Sequence, residues 1–484
     1  MQHNTEFNQR PAPDQVLVDI ADYICDYEVR SELAFATARH CFMDTLGCGL
    51  LALNFPECSK LLGPVVPGTI VPLGARVPGT SYVLDPEKAA WDIGCIIRWL
   101  DYNDTWLAAE WGHPSDNLGA ILAVADFISR QRRASGNGLP LTMQDVLIAM
   151  IKAHEIQGVL ALENSFNRVG LCHVLLVRVA SAGIATWMLG GSRQQVIDAL
   201  SQAWLDGSSL RTYRHSPNAG PRKSWAAGDA TSRGVQLANI TLRGEIGYPS
   251  VLTVPTWGFY DVYFKGQPFR ISQAYGSYVM ENILFKISFP AEFHSQTAVE
   301  AAVKLHPLVK DRLHEIEKIV ITTHESALRI ISKTGPLNNP ADRDHCLQYM
   351  TAVALIFGNL EAQHYEDSFH RHNPVIDTLR DKMQVEEDSR YSREYLEADK
   401  RSIANALQVF FSDGSASRKL EIEYPLGHRR RRQEGLPALE AKFLKNMASR
   451  YSPEHCERVF ALCQDQEKFA AMPVDSLMDT LVIQ

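Results

Sequence analysis

Residues 171–191 form the most apolar stretch of the chain, yet His173, Arg178 and Ser181 interrupt it. A membrane span needs ~20 mostly apolar residues, so this segment reads as a helix buried inside a globular protein. A helix that is apolar on more than one face must be covered by other helices. Ala- and Leu-rich segments at 117–132, 143–160, 193–206 and 223–241 supply that cover. Upstream, apolar residues recur at helical spacing over 20–27. Ser31 is placed to cap a second helix running to residue 50. After a Pro/Gly-rich excursion at 63–79, Asp85 and Pro86 open a helix expected to reach about residue 106. The first half is therefore expected to be a multi-layered helical domain.

The character changes near residue 250. Residues 316–323 are rich in β-branched side chains and read as a strand. Residues 409–411 and 420–424, joined through Ser412-Asp413-Gly414, read as a β-hairpin. Helices are expected at 294–305 and 342–359. The charged segment 384–400 is expected to be a surface connection, and helix returns after Pro437 with Cys456 and Cys463 on one face. The expected fold class is mainly α with an inserted or appended α+β domain. Residues 1–270 would form the first part of the helical domain, 271–400 the α+β domain, and 401–484 a hairpin and helical return packing on the first domain.

Composition narrows the function. Hydrophobic residues at 45% and charged residues at 21% exclude a disordered or collagen-like chain. A net charge of −8 argues against a nucleic-acid partner, which would ordinarily meet a basic domain. The Arg429–Arg432 run is then best read as an ion-paired or solvated loop. The nine cysteines include no C-x-x-C pair, so free buried thiols in a reducing compartment are expected, with no metal site. The first residues resemble neither a signal nor a transit peptide. A cytoplasmic protein with no membrane partner is expected.

Several clusters carry chemistry. Asp101 and Asp104 sit three apart at an expected helix end, close to Thr105, with His113 in the turn beyond. Carboxylates beside an imidazole make an acid–base unit, although a capped loop with a solvated histidine would look the same. His154-Glu155 lacks the i, i+4 histidine pair of a zinc helix; His173, at a helix start, is the stronger candidate there. Arg211, Arg214, Arg222 and Lys223 flank a Gly/Pro loop, as in a carboxylate receptor. A Lys223 buried at the start of a small-residue helix would have its pKa lowered. Lys286 with His294, and Asp344-His345 with Tyr349, are weaker signals by themselves.

Taken in order, these strings resemble the MmgE/PrpD family. They are Leu-Asp-Tyr-Asn-Asp-Thr-Trp at 100–106, Glu-Trp-Gly-His-Pro-Ser-Asp-Asn at 110–117 and Lys-Ala-His-Glu-Ile-Gln-Gly at 152–158. Arg-Lys-Ser-Trp-Ala-Ala-Gly-Asp-Ala at 222–230, Lys-Ile-Ser-Phe-Pro-Ala-Glu-Phe-His at 286–294 and Asn-Asn-Pro-Ala-Asp-Arg-Asp-His at 338–345 complete them. The resemblance runs from about residue 15 to 480. It implies a cleft between a helical domain and a smaller α+β lid, needing no metal or cofactor. It also implies a tricarboxylate substrate: dehydration of 2-methylcitrate to 2-methyl-cis-aconitate, or decarboxylation or epimerisation of a related acid. By resemblance, Asp101, His113, His173, Lys223 and Tyr349 would be catalytic. Asp104, Thr105, Arg211, Arg214, Arg222, Lys286 and His294 would bind substrate. Relatives suggest a homodimer, with a monomer as the alternative.

Overall fold

A computed structural model describes residues 9–206 and 209–483. Its first half is helical. Ser31 caps helix Glu32–Ala52, its hydroxyl accepting from Ala34 N at 3.1 Å. The apolar segment becomes helix Val174–Met188, buried at all but one position. No helix among the described residues is long and apolar enough to cross a membrane.

The centre of this body is a tight crossing of helices Pro86–Arg98 and Arg222–Leu242. Glycine permits it. A Cβ on Gly94 would stand 2.7 Å from Gly228 Cα, and one on Gly228 would stand 2.4 Å from Trp91 O. The small residues after Lys223 thus draw both helices together, so that Lys223 and Arg98 are each 2% exposed.

The second body is a four-stranded sheet packed against helix Gln296–Val309, which is backed in turn by helix Leu347–Phe357. Its order is Met383–Glu387, Ile316–Thr323, Asn405–Phe411, Leu420–Ile422; the first pair is parallel and the others antiparallel. Separate apolar cores serve the two bodies. Helices Arg432–Met447, Gln466–Ala471 and Val474–Thr480 return to the first body. Lys442 on the first of these is buried against Asp44 at 2.7 Å.

Three details differ from the sequence reading. The helix opened by Asp85 stops at Arg98, eight residues short of the expected end, because Asp101 turns the chain with a φ of 50°. The 384–400 segment is not a plain connection: it holds the edge strand Met383–Glu387 and helix Ser389–Leu396. An edge strand exposes much of its surface, so it lacked the apolar alternation that marks a buried one. The hairpin belongs to the second body's sheet rather than to the helical return, because Asn405–Phe411 pairs with Ile316–Thr323. The arginine run is paired as expected: Arg431 meets Glu300 and Glu434, and Arg429 and Arg430 bond the Asp399 carbonyl. All nine cysteines are free.

Candidate active site

A narrow cavity of about 30 Å³ lies between the two bodies. The tight helix crossing delivers Arg98 to its wall. The chain then turns through Asp101 and Thr105 into the short hairpin Trp106–Leu107 and Trp111–Gly112. Thr105 exchanges backbone hydrogen bonds with Leu284 at 2.8 and 3.0 Å. That bridge lays Lys286 beside Asp101.

Asp101 is the hub. Its carboxylate contacts Lys286 closely and lies 2.8 Å from Arg98 Nη1, 3.8 Å from His113 Nε2 and 3.9 Å from Lys223 Nζ. Burial disfavours its charge, but Arg98, Lys286, His113 and Lys223 hold the carboxyl well below the usual carboxylate range. Its left-handed backbone, uncommon outside glycine, is held by these contacts.

His113 Nδ1 lies 2.6 Å from the Asp104 carbonyl, which can only accept, so that nitrogen carries the hydrogen. Its Nε2 accepts from Arg98 Nη2 at 2.8 Å. Burial, then Arg98 and Lys286, hold its pKa well below that of an ordinary histidine. His173 is likewise held neutral, by burial and then by Arg214, Arg211 and Arg98. Its Nε2 is buried and has no partner among the described residues. The two rings stand 5.5 Å apart.

The anion-binding wall comes from the turn Arg211–Arg214. Arg211 Nη1 and Arg214 Nη2 are buried without a hydrogen-bond partner among the described residues, Arg211 Nη1 lying 4.0 Å from Glu110 Oε1. Arg214 Nε and the Tyr213 hydroxyl both donate to Cys172 Sγ at 3.1 Å. Burial would raise this thiol, but Arg214 and Arg211 bring it down to about 7. Across the cavity stand Glu292, Phe293, Ile330 and His345 of the second body. Four cations (Arg98, Arg211, Arg214, Lys286) face two carboxylates (Asp101, Glu292), so the cavity is locally positive in an acidic chain.

Of the residues singled out from sequence, Asp101, Thr105, His113, His173, Arg211, Arg214 and Lys286 line this cavity. Lys223 stands behind them, bonded to Asp344 at 2.5 Å and 3.4 Å from His345 Nδ1; burial lowers its pKa. Asp104 does not point with Asp101. Its carboxylate turns away to His154 at 2.8 Å and Ser115 Oγ at 2.7 Å, and only its carbonyl reaches His113. His294 is also one layer back, between Glu292 at 2.7 Å and the Tyr395 hydroxyl at 3.0 Å. Two residues do not join the group. Arg222 lies outside, stacked on Trp225 and 3.4 Å from Asp229, because the first turn of its helix faces solvent there. The Tyr349 hydroxyl donates to the His364 carbonyl at 2.7 Å within the second body's core.

Arg98, Trp111 and Glu292 line the cavity without having been singled out, and His345, a weak signal in the sequence, lines it as well. An arginine closing the apolar run 93–97 was the signal available for Arg98. Cys41, Asp104 and His154 are the one group of metal-type donors gathered among the described residues. They bond one another: Asp104 lies 2.8 Å from His154 Nε2 and 3.6 Å from Cys41 Sγ.

Family models agree with this layout. The MmgE/PrpD N-terminal domain matches residues 18–272 and the MmgE/PrpD C-terminal domain matches residues 289–466. A protein of Cupriavidus necator named 2-methylcitrate dehydratase is 61% identical over the full length of both chains. The 2-methylcitrate dehydratase of Escherichia coli (strain K12) is 58% identical, covering 98% of this chain and 99% of its own. A probable 2-methylcitrate dehydratase of Saccharomyces cerevisiae is 56% identical, covering 98% and 93%.

Proposed function

From the premise that the chain belongs to the MmgE/PrpD family, we propose that it is a hydro-lyase converting 2-methylcitrate to 2-methyl-cis-aconitate. The observation that carries this reading is a narrow, positively charged cavity holding a neutral imidazole, His173, whose Nε2 has no hydrogen-bond partner among the described residues.

The elimination needs three things. The carboxylates of the substrate must be held, a proton must leave the methyl-bearing carbon, and hydroxide must leave the adjacent tertiary carbon. Arg211 and Arg214 offer free N–H groups to carboxylates. The carbon acid is weak because its neighbouring carboxylate is already negative, so the charge that develops there needs donors fixed in advance. Arg98 and Lys286, locked on Asp101, are such donors. His173 is the base in this reading. Cys172 Sγ lies 3.9 Å from its Nδ1; a sulfur that has lost its proton accepts there and leaves the lone pair on Nε2. The acid is an ammonium, Lys286 in the wall or Lys223 behind His345, with a pKa that burial lowers. The carbon–hydrogen electron pair becomes the double bond, hydroxide takes the ammonium's proton and leaves as water, and solvent carries the proton on His173 back to the lysine.

Proton NMR of products from 2-methylcitrate, citrate and cis-aconitate tests this directly. Formation of 2-methyl-cis-aconitate supports it; a decarboxylated or epimerised product from a related acid would replace it. The reading carries with it a cytoplasmic location and a homodimeric or monomeric state, measured by fractionation and light scattering.

A further inference from the structure

The reaction cavity is narrow, about 30 Å³. Every lining side chain contributed by the first body is less than a tenth exposed, so a charged polycarboxylate cannot enter unless part of the wall moves. A second, larger cavity of about 370 Å³ lies beside it. Trp111 lines both. Two guanidiniums stand 5.1 Å from its ring, Arg211 in the inner cavity and Arg329 in the outer. The backbone around Trp111 is fixed, since Ala109 N and Glu110 N donate to the carbonyls of Leu162 and Ala161. The indole donates from Nε1 to the Tyr395 hydroxyl at 2.7 Å and packs edge-on against His294, with ring centres 5.6 Å apart. It is the one side chain lining both spaces, so its displacement is the shortest way to join them.

The outer cavity sets two guanidiniums, Arg168 and Arg329, beside two carboxylates, Glu325 and Glu387. Both arginines contact Glu325, at 3.8 and 3.3 Å, while Glu387 accepts from Ser392 Oγ at 2.6 Å. His324 lines its floor and is fully buried. His324 Nδ1 accepts from Ala327 N, so the neutral ring bears its hydrogen on Nε2, and that nitrogen has no partner among the described residues. We propose that this outer cavity is a capture site for the incoming polycarboxylate, which displaces Glu325 from Arg329 and Arg168 before Trp111 swings aside to admit it. The proposal rests on the polycarboxylate reading of the inner cavity.

Two substitutions with opposite signs test it. Tricarballylate, a tricarboxylate without the eliminable hydroxyl, is mixed with the enzyme while tryptophan fluorescence is followed by stopped flow. Arg329→Gln is expected to slow association by ~10-fold, the low end of electrostatic steering. Glu325→Gln is expected to speed association, because the competing carboxylate is gone. Both side chains are partly exposed, so folding is not at stake. Wild-type rates in both variants, a shift of the same sign in both, or no saturable signal from the wild type would overturn the proposal. Product NMR on the wild type is a separate readout. Failure to dehydrate 2-methylcitrate would remove the functional reading while leaving the association rates to decide the capture site.

Discussion

Arg98 Nη2 donates to His113 Nε2 across 2.8 Å while Arg98 Nη1 holds Asp101 at the same distance. One guanidinium therefore fixes the histidine's tautomer and keeps the carboxylate ionised, and both effects depend on the helix end that the Gly94–Gly228 crossing creates.

Arg98→Met removes one cation from Asp101, but Lys286 and Lys223 still balance its buried charge, so the cost should fall below the ~3–5 kcal/mol of leaving a buried charge unpaired. We expect a lower urea midpoint and a higher His113 pKa, read by NMR titration. An unchanged His113 titration would show that Arg98 does not set it.

Glu110 makes stability depend on pH in an uncommon direction. Burial pushes its carboxyl up to about 7, against the pull of Arg211 and Asn167. A folded-state pKa above the unfolded one means that stability is fullest below the unfolded value, ~4.3, and is lost as pH rises through about 7. Glu110→Gln keeps the shape and should flatten the urea midpoint between those pH values. Asp44, raised to about 6 by burial, and Asp116, raised to about 7, contribute with the same sign, so the residual slope should not vanish.

Cys172 should matter through Arg214. Its sulfur accepts from both Arg214 Nε and the Tyr213 hydroxyl. Cys172→Ala frees the guanidinium to wander, and a hydrogen bond to a charged group is worth ~1.5–3 kcal/mol. KM should rise by about 10-fold or more, with circular dichroism unchanged. A KM equal to wild type would show that the sulfur does not hold Arg214.

Tyr349 separates packing from chemistry. Its hydroxyl serves the His364 carbonyl rather than the cavity. Tyr349→Phe should lower stability by ~1 kcal/mol and change kcat by a few-fold at most, measured by thermal unfolding and steady-state turnover. A kcat loss of two orders of magnitude would return Tyr349 to the reaction.

The helical body was legible because its signals are local. Ser31 and Asp85 cap the helices they were read to cap, and the small residues after Lys223 mark the tight crossing. The edge strand Met383–Glu387 was not legible, because its partner lies some sixty residues upstream and its own side chains carry no burial pattern. In the site, most of the cavity wall could be named from residue type and order. Direction could not. Asp101 and Asp104 differ by three positions, yet a left-handed residue between helix and hairpin sends one carboxylate to Lys286 and the other to His154. Nothing local marks such a turn at an aspartate. Arg222 and Lys223 are neighbours as well, and successive helix positions face different ways, so one points to solvent and the other to Asp344.

The central claim is that a neutral His173, in a cavity organised by Asp101, takes the proton from carbon. The most direct measurement compares kcat and KM of wild type and His173→Ala on 2-methylcitrate, with product followed by proton NMR. The account predicts a kcat lower by at least ~100-fold, the scale of general base catalysis, with KM altered far less because Arg211 and Arg214 remain. Turnover within a few-fold of wild type would contradict it.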